Sequence, residues 1–524
     1  MNNRELDELA FEECCNPETT VRYGNRQGNP FWNTHSIMFM YVPAFYFTAI
    51  PNCKRYRYDA IDENDIKYSF ESDDCCSLLT PIWRKLPKDG LVKLTVTALN
   101  DDGSDYAVVG ARTFYKHSPF TTDLPKANKA YKDASIAGYK YAMKQPFVRH
   151  FLEYGTPDPY YDLNIYPTKM ISSLVRAMIS YASVCPEDKD DAMKVAVSAA
   201  DYLISITNRK GPLANLPPTY HTGFCPDPDK YGIKTPNWYN SFERFGSMMM
   251  IYPAQAGAMY LELENATSNK KYLDEALKIG EYYLNSALDN GTWYLIRSEE
   301  TGEVLSKNYI SPLDQHVVPF LMALYERTGN ELFKLQSEKA VKYTCETQYK
   351  NYNWEGQFED AALSMNYSNL THYGAIALAK YYAKYYANDE KRMETAKELM
   401  RYAEDQFVIW KKPYPWAHRA PKGVPPYDTS LWHTPCGLEQ YWWYVPIDAS
   451  TCNLALGFLA LYEAGCGELY LAKAKALTNQ LVNVQREDGQ IPTHWMVKND
   501  AEWNFWFNCM FMSCKTLEIM SKYE

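Results

Sequence analysis

The sequence lacks the features that mark several large classes of protein. Its longest apolar stretch, residues 37–50, is interrupted by Pro43 and by polar residues, and it falls short of the ~18 residues that a membrane-spanning helix needs. No segment is rich in lysine and arginine, and 54 basic residues are outnumbered by 64 acidic ones, which gives a net charge of -10. Membranes and nucleic acid are therefore not expected as partners.

The sequence also shows neither a secretory signal nor a disulfide framework. Residues 1–15 carry five carboxylates and no apolar core. The 13 cysteines are odd in number and scattered, and they include the adjacent pairs Cys14/Cys15 and Cys75/Cys76. This pattern predicts reduced thiols and a cytoplasmic location, and a trimmed exported protein would carry the same residues.

Motifs of the common cofactor and metal sites are absent as well. The chain contains no G-x-x-x-x-G-K-[ST], no G-x-G-x-x-G after a predicted strand, no H-E-x-x-H and no G-x-S-x-G. It also has no C-x-x-C pair of the kind that binds zinc. We therefore predict that the protein uses no cofactor and no metal.

Aromatic side chains are present in excess. They make up 15% of the chain, with 45 tyrosines and 13 tryptophans, which is more than a packed interior needs. Aromatic side chains beyond those that the interior accommodates suit a cavity in which flat, hydroxylated ligands stack. We expect many of these rings to be partly exposed in such a cavity.

Residues from about 35 to 120 favour β-strands. They are β-branched or aromatic with partial alternation, and turn sequences such as residues 100–103 separate them. Strands are predicted over 38–49, 56–60, 66–71, 91–99 and 106–115. Residues 81–83, 86–87, 90–96, 102–103 and Phe114 resemble a fibronectin-III or Ig-like β-sandwich. We predict an N-terminal extension over 1–34, this sandwich over 35–120, and a helical catalytic domain over 121–524.

From about Lys126 the hydrophobic period changes to 3.6 residues, and twelve amphipathic segments follow. They are predicted to begin near residues 126, 167, 189, 247, 270, 314, 331, 367, 391, 447, 468 and 502. All but the first and the last fall into pairs joined by short turns, and the first and the last can close a ring. The second helix of each pair carries regularly spaced alanines and is predicted to form an outer layer.

The connections between one pair and the next are long. They span residues 146–165, 208–246, 289–313, 349–366, 411–446 and 486–501. Each runs from an outer helix to the next inner one, so all six must emerge at one end of a ring of hairpins. Because they contain most of the tryptophans, we predict an aromatic-lined cleft at that end.

The helix count and the long connections resemble the (α/α)6 toroid of the six-hairpin glycosidases and of several polysaccharide lyases, over residues from about 126 to 524. The resemblance implies a mainly α fold with a small N-terminal β-sandwich, and an oligosaccharide or polysaccharide substrate. An Ig-like domain also precedes the toroid in family 9 glycoside hydrolases, but their Asp-Ala-Gly-Asp motif is absent here. No catalytic signature of these families can be carried over residue by residue.

Glycoside hydrolysis needs two carboxylates, one protonated and one ionised. Glu359 and Asp360 have no obvious helix-capping role, and the nearby Trp354 and Phe358 could desolvate a carboxyl group and raise its pKa. We predict Asp360 as the general acid, with Glu359 as its neighbour. Glu439, in the aromatic run 435–444, is predicted as the partner carboxylate. Asp314 and Asp448, at predicted helix starts, are interpreted as structural first-turn residues.

Aromatic and charged residues of the connections are predicted to bind the substrate. Trp354 and Trp443 are predicted as stacking platforms, and Arg244 as a clamp for a substrate carboxylate. The full set of predicted substrate-binding residues is His221, Tyr239, Glu243, Arg244, Trp354, His433, Trp442, Trp443, Tyr444 and His494.

Two other functions remain open at this point. A uronate lyase or epimerase would use Arg244 to neutralise the substrate carboxylate and a tyrosine or histidine as the base, for which His372 and Tyr373 are candidates. A non-catalytic glycan-binding protein would show aromatic platforms without a carboxyl group of raised pKa. The sugar, the linkage, the stereochemical outcome and the oligomeric state do not follow from the sequence.

Overall fold

The computed structural model describes residues 1–19, 35–220, 246–313, 316–358, 367–413, 432–441, 443–496 and 505–524. Within these residues lie fifteen α-helices and thirteen β-strands. None of the helices in these ranges is long and apolar enough to cross a membrane.

The chain begins with helix α1 (Asn3–Cys15), in the segment predicted as an extension. The side chain of Asn2 accepts a hydrogen bond from the Glu5 amide, and the Glu5 side chain accepts one from the Asn2 amide. This capping box satisfies two amides that the helix itself leaves free, which explains why the helix begins here.

Two small sheets follow α1. The strands are β1 (Met38–Phe39), β2 (Ala44–Tyr46), β3 (Arg55–Asp62), β4 (Lys67–Ser72), β5 (Cys76–Leu78), β6 (Gly90–Leu99) and β7 (Asp105–Lys116), with a short helix α2 (Thr80–Trp83) before β6. Five of them form a sheet in the order β1-β7-β6-β3-β4, and β2 pairs with β5. The predicted β-sandwich is thus seen in part, as these two sheets. The boundaries predicted for it stay a prediction.

The helical part starts with α3 (Tyr131–Met143) and α4 (Pro146–Tyr154). Helix α4 lies in a segment predicted to be a connection, because nine residues are too few to establish a helical period. Five hairpins come next: α5 (Pro167–Val184) with α6 (Lys189–Ile206), α7 (Pro253–Thr267) with α8 (Lys270–Ser286), α9 (Val317–Thr328) with α10 (Glu331–Thr344), α11 (Tyr373–Tyr385) with α12 (Glu390–Phe407), and α13 (Asp448–Glu463) with α14 (Glu468–Asn483). The last helix, α15 (Phe507–Met520), packs against α3 and closes the ring, as predicted.

Six of these helices form an inner ring. The pairs α5–α7, α7–α9, α11–α13, α13–α15 and α15–α5 are in contact. Between α9 and α11, Lys384 Nζ and Tyr385 Oη both donate to Glu326, over 2.8 and 2.7 Å. The inner helices approach closely: a Cβ on Gly257 of α7 would lie 2.3 Å from the Phe320 ring of α9. The fold is therefore an (α/α)6 toroid, as the resemblance implied.

Some helices begin later than predicted, for local reasons. The helix expected near residue 247 begins at Pro253, because residues 247–249 form strand β8 (Ser247–Met249). Pro253 and Pro167 each occupy the first turn of an inner helix, where the missing amide of proline costs nothing. The helix expected near 367 begins at Tyr373, after an extended segment that pairs with residue 355.

The six connections from an outer to the next inner helix meet at one end of the toroid, which we call the rim. They hold β8, β9 (Tyr294–Ser298), β10 (Val304–Tyr309), β11 (Val408–Ile409), β12 (Cys436–Gln440) and β13 (Trp443–Pro446). Successive connections are linked by three kinds of contact. Hydrogen bonds run from Thr168 Oγ1 to the Pro218 carbonyl and from the Ser311 amide to Gln357 Oε1. Strand β8 pairs with β9, bridges join Thr371 to Gln440 and Ile447 to His494, and the rings of Phe147 and Phe507 form a T-shaped pair. This closed circle of contacts confirms that the long connections share one end.

Candidate active site

The site lies where the inner helices begin at the rim. The amino-terminal end of a helix carries a partial positive charge and free amides, so six such ends facing one axis favour ligands with lone pairs or negative charge. Each inner helix also leaves one line of partly exposed residues, such as Tyr373, Ala377 and Lys380 on α11. Because its other sides pack on neighbouring helices, this line faces the axis.

Tyr373 and Glu439 are brought together at this end. Tyr373 is the first residue of α11, and its Oη lies 3.3 Å from Ser450 Oγ on the first turn of α13. Burial raises the pKa of the Tyr373 phenol well above its ordinary value, and the nearby carboxylate of Glu439 raises it further. Glu439 lies on β12, where residue 440 bridges to residue 371 just before α11.

Asp448 lies beneath this pair and is fully buried. One of its carboxylate oxygens accepts a hydrogen bond from the Ala449 amide over 2.7 Å, and the other accepts one from Ser513 Oγ over 2.9 Å. Burial raises the pKa of this carboxyl group well above its ordinary value. The geometry matches the structural first-turn role that the sequence suggests, and it ties the start of α13 to α15.

A lysine lies near the same group of side chains. Lys169, on the first turn of α5, has its Nζ 5.0 Å from the ring centre of Trp506. The Cys509 thiol is buried on α15, and burial raises its pKa. The negative charges of Asp448 and Glu439 raise the pKa of Cys509 further, while Lys169 lowers it. The ammonium group of Lys169 and the carboxyl groups of Asp448 and Glu439 therefore all lie near the Cys509 thiol.

Charged residues continue down the axis below the rim. Arg176 Nε of α5 donates to Glu262 Oε1 of α7 over 2.9 Å. His316 precedes α9 with a left-handed backbone (φ 69°) and is open to water inside the ring. The surrounding protein lowers the pKa of its imidazole to about 4, and the positive charges of Arg176 and Lys380 contribute to this. The imidazole is thus neutral at physiological pH.

Two predicted site residues are buried away from any ligand. Trp354 is 1% exposed and packs edge-on against Tyr352 at 6.1 Å. Its ring offers no face to a sugar, so the prediction that it is a stacking platform is wrong. His372 is fully buried, with Nδ1 3.2 Å from Asn453 Nδ2, and burial lowers its pKa to about 3. It can position the start of α11, but it does not reach the cleft as a base.

The other predicted residues are distributed along the rim. Tyr444 is half-buried on β13, where its hydroxyl donates to the Gln406 carbonyl and its ring lies 5.9 Å from that of Tyr441. His494 is almost buried and bridges to Ile447, whereas His433 is exposed. Trp443 forms part of strand β13, and its side chain lies outside the part of the chain that the structure describes. The remaining predicted site residues lie outside the described residues: His221, Tyr239, Glu243, Arg244, Glu359, Asp360 and Trp442.

Several residues at the axis were not predicted from the sequence. Lys169, Ser450 and Cys509 are each the third residue of an inner helix, namely α5, α13 and α15. The available signal was their position in the first turn of helices that were predicted correctly. Within the described ranges, the group best suited to hold a metal ion is Cys185, Glu187 and Asp188. It lies in the turn between α5 and α6, at the opposite end from the rim.

No protein-family model and no curated protein matches the chain. Solved structures do resemble it. A family 76 glycoside hydrolase from a bovine Bacteroides thetaiotaomicron strain matches with a TM-score of 0.50 at 10% identity, over 92% of this chain and 95% of that one. The cellobiose 2-epimerase of Spirochaeta thermophila gives 0.49 at 12% identity, over 75% and 98%. An unsaturated glucuronyl hydrolase from a streptococcus gives 0.45 at 11% identity, over 75% and 93%. At this level of identity, the likeness to the family 76 enzyme shows a common fold and assigns no activity.

Proposed function

We propose that the protein is a glycan-cleaving enzyme. Specifically, we propose a glycoside hydrolase whose site lies on the axis of the toroid, at the rim. The observation that carries the proposal is the placement of Glu439 near Tyr373 and Cys509, with Lys169 also near Cys509, where the inner helices begin. Such a carboxylate can act as base or nucleophile towards a bond held on the axis. The toroid fold and the substrates named for the similar structures agree with this chemistry.

Asp360, or Glu359 beside it, is proposed as the general acid. Phe358, which precedes Glu359 in the chain, has its ring 5.9 Å from that of Tyr373. Glu359 and Asp360 thus directly follow, in the sequence, a residue that packs against Tyr373 at the axis. An apolar neighbour of this kind disfavours the charged form of a carboxyl group and raises its pKa, as a general acid requires.

Elimination from a uronic acid is less well supported. A lyase needs a base that loses its proton readily, and the pKa of Tyr373 is raised rather than lowered. His372 is fully buried, so it cannot take a proton from a sugar carbon. Hydrolysis needs no base of this kind, because Glu439 and the carboxyl group that we assign to Asp360 or Glu359 supply the base and the acid. We therefore propose hydrolysis in preference to elimination.

The proposal is tested by exchanging Glu439 for glutamine. Purified wild-type protein and Glu439→Gln are incubated with neutral and acidic polysaccharides, and released reducing ends are measured together with the ultraviolet band of an unsaturated uronide. We expect reducing ends without that band from the wild type, and a loss of turnover of about 10²-fold or more in the variant. Glu390→Gln, an exposed residue at the start of α12, is the matched control and should behave as wild type.

Each alternative has its own result. An unsaturated band would show that the enzyme is a lyase. Binding of glycans without either signal would identify a non-catalytic glycan-binding protein. Wild-type turnover in Glu439→Gln, with an unchanged melting temperature, would remove Glu439 from the mechanism.

A further inference from the structure

A second cavity opens on the rim, away from the axis. It has a volume of about 340 Å³ and lies between the end of β10, the end of α10 and the extended segment 353–357. Its lining is formed mainly by amide, hydroxyl and phenol side chains: Asn308, Tyr309, Ser311, Tyr343, Thr347, Gln348, Asn351, Asn353, Gln357 and Tyr367, with Lys307 and Glu355 as the two charged groups. One positive and one negative charge leave the cavity formally neutral.

The two glutamines of this cavity are structural. Gln357 accepts a hydrogen bond from the Ser311 amide over 2.8 Å and donates to the Tyr309 carbonyl over 2.7 Å. Gln348 Nε2 donates to Ser311 Oγ over 2.9 Å. These bonds fasten the end of β10 to the opposite wall, so the cavity has a fixed width before any ligand arrives.

The three asparagines are different, because their side chains have no hydrogen-bond partner in the part of the chain that the structure describes. Asn308 and Asn351 are accessible from the cavity, and Asn353 Oδ1 is buried without a partner. An amide group that is left without a partner at a buried or half-buried position costs free energy. Asn353 Oδ1 is such a group, and the accessible amides of Asn308 and Asn351 add donors and acceptors that a ligand in the cavity can reach.

Aromatic surface accompanies these amides. Tyr309 is 38% exposed, and its ring is held at 5.4 Å from Tyr294 and at 6.0 Å from Tyr343. A ring fixed on two sides by other rings keeps one face available for stacking. Amide groups next to such a face form the usual environment of a neutral sugar, whose hydroxyl groups bind the amides while its C–H groups pack on the ring.

The backbone around the cavity is unusual as well. Residues Cys345–Tyr349 form a π-helical turn at the end of α10, which carries Thr347 and Gln348 into the lining. Tyr352 and Tyr367, at the two ends of the opposite wall, have left-handed backbones with φ of 52° and 61°. Conformations of this kind are unfavourable for tyrosine and are concentrated at binding sites.

The wall between this cavity and the axis is shared by both. Residues 353, 355 and 357 alternate towards the cavity, as expected of an extended segment, and residue 355 pairs with Leu370. The next residue along, Phe358, packs against Tyr373 at the axis. A Cβ on Gly356 would lie 2.5 Å from the Phe358 ring and 2.6 Å from Thr371, so the wall is closely packed at this point.

We propose that this cavity binds a neutral sugar residue of the glycan, displaced from the one that is cleaved at the axis. A glycan that extends across the segment 353–357 places one sugar residue against Tyr309 and the three asparagines. Another sugar residue of the same chain then lies beside Glu439. The inference rests on the proposed function for its substrate class. It concerns binding, however, and is tested separately from turnover.

The experiment measures binding by calorimetry in the Glu439→Gln background, which excludes turnover. The probes are neutral manno- and gluco-oligosaccharides, each as the disaccharide and as a longer chain, and an oligogalacturonate as the acidic probe. Against the better-bound neutral series, Asn308→Ala combined with Asn351→Ala should weaken binding of the longer chain roughly tenfold, because two neutral hydrogen bonds are lost. Tyr309→Ala should weaken it similarly, and Tyr309→Phe should weaken it less. Asn388→Ala, in the exposed turn between α11 and α12, is the control.

The outcomes separate the two proposals. Weaker binding of the longer neutral chain in the cavity variants, with the disaccharide unaffected, supports the inference even if the wild type cleaves nothing. Affinity unchanged by both the asparagine and the tyrosine variants, at unchanged melting temperature, overturns it even if the enzyme proves to be a hydrolase. Preferred binding of the acidic probe at this cavity would also overturn it.

Discussion

Lys473, on α14, is a lysine with almost no contact with water. It is 2% exposed, and its Nζ donates to Glu404 Oε2 of α12 over 2.7 Å. Burial alone would lower its pKa, but the carboxylates of Glu404 and Glu13 more than offset this and raise it. Glu404 also accepts hydrogen bonds from Tyr41 Oη and Trp410 Nε1, over 2.9 and 3.0 Å. The pair is thus the centre of a buried polar network.

We predict that Lys473→Met destabilises the protein by about 3–5 kcal/mol, because it leaves the Glu404 carboxylate buried without its cation. Adding Glu404→Gln to this variant should recover part of the loss, since the uncompensated charge is then gone. Chemical unfolding of the single and double variants measures both effects. A double variant less stable than Lys473→Met would contradict this account.

Among the helices, three are joined by one carboxylate at the end opposite the rim. Glu264 lies near the end of α7 and is 3% exposed. It accepts hydrogen bonds from Arg327 Nη2 and Nε at the end of α9, over 2.8 and 3.1 Å. It also accepts one from Lys270 Nζ, at the start of α8, over 2.7 Å. The Arg327 and Lys270 hydrogen bonds lower the pKa of Glu264 from 4.5 to about 2.

This lowered pKa predicts an acid-dependent loss of stability. The folded state binds the proton less readily than the unfolded state, so the contribution of Glu264 is complete above a pH of about 4.5 and is lost as the pH falls through about 2. Over this window the wild type should lose about 1–3 kcal/mol that Glu264→Gln does not lose.

Urea unfolding at a series of pH values checks the prediction for Glu264. Glu300→Gln, at an exposed position in the turn between β9 and β10, is the control and should follow the wild type. Parallel curves for the wild type and Glu264→Gln across the acid range would show that the ion pairs of Glu264 add no stability.

Across the whole molecule, the N-terminal sheet is fastened to the toroid by the end of α12. Asp405 is fully buried, and its Oδ1 accepts hydrogen bonds from the amides of Met40 and Tyr41, over 2.5 and 2.7 Å. His117 Nε2 lies 2.9 Å from the Asp405 carbonyl, and Gln406 Nε2 donates to the Met38 carbonyl over 2.8 Å. In each of these four hydrogen bonds a side chain of one part binds a backbone group of the other, and all the residues involved are buried.

We predict that Asp405→Ala loosens the N-terminal sheet, because two buried amides lose their acceptor at a cost of about 2 kcal/mol or more. Asp405→Asn keeps an acceptor oxygen in the same place and should be much closer to wild type. Limited proteolysis, followed by mass analysis of the first cleavage sites, should show cuts within residues 35–120 appearing sooner in Asp405→Ala. Equal digestion of both variants would place the docking energy elsewhere.

The sequence by itself determined the twelve helices that form the hairpins and close the toroid, their pairing and the end at which the long connections gather. These properties depend on hydrophobic periods and turn residues that act over fewer than about twenty neighbouring positions. The sequence predicts less well a helix that is too short to show a hydrophobic period, such as α4. It also misses residues that pair as a strand where a helix is expected to begin, such as β8 before α7.

Only the tertiary structure decided which side chains meet. Lys169, Tyr373, Glu439 and Cys509 lie on four segments far apart in the chain, and they converge because ring closure brings the first turns of the inner helices together. It also decided that Trp354 is core while Tyr309 is exposed. Local sequence gives both rings the same apolar character, and burial depends on what the rest of the chain packs against them.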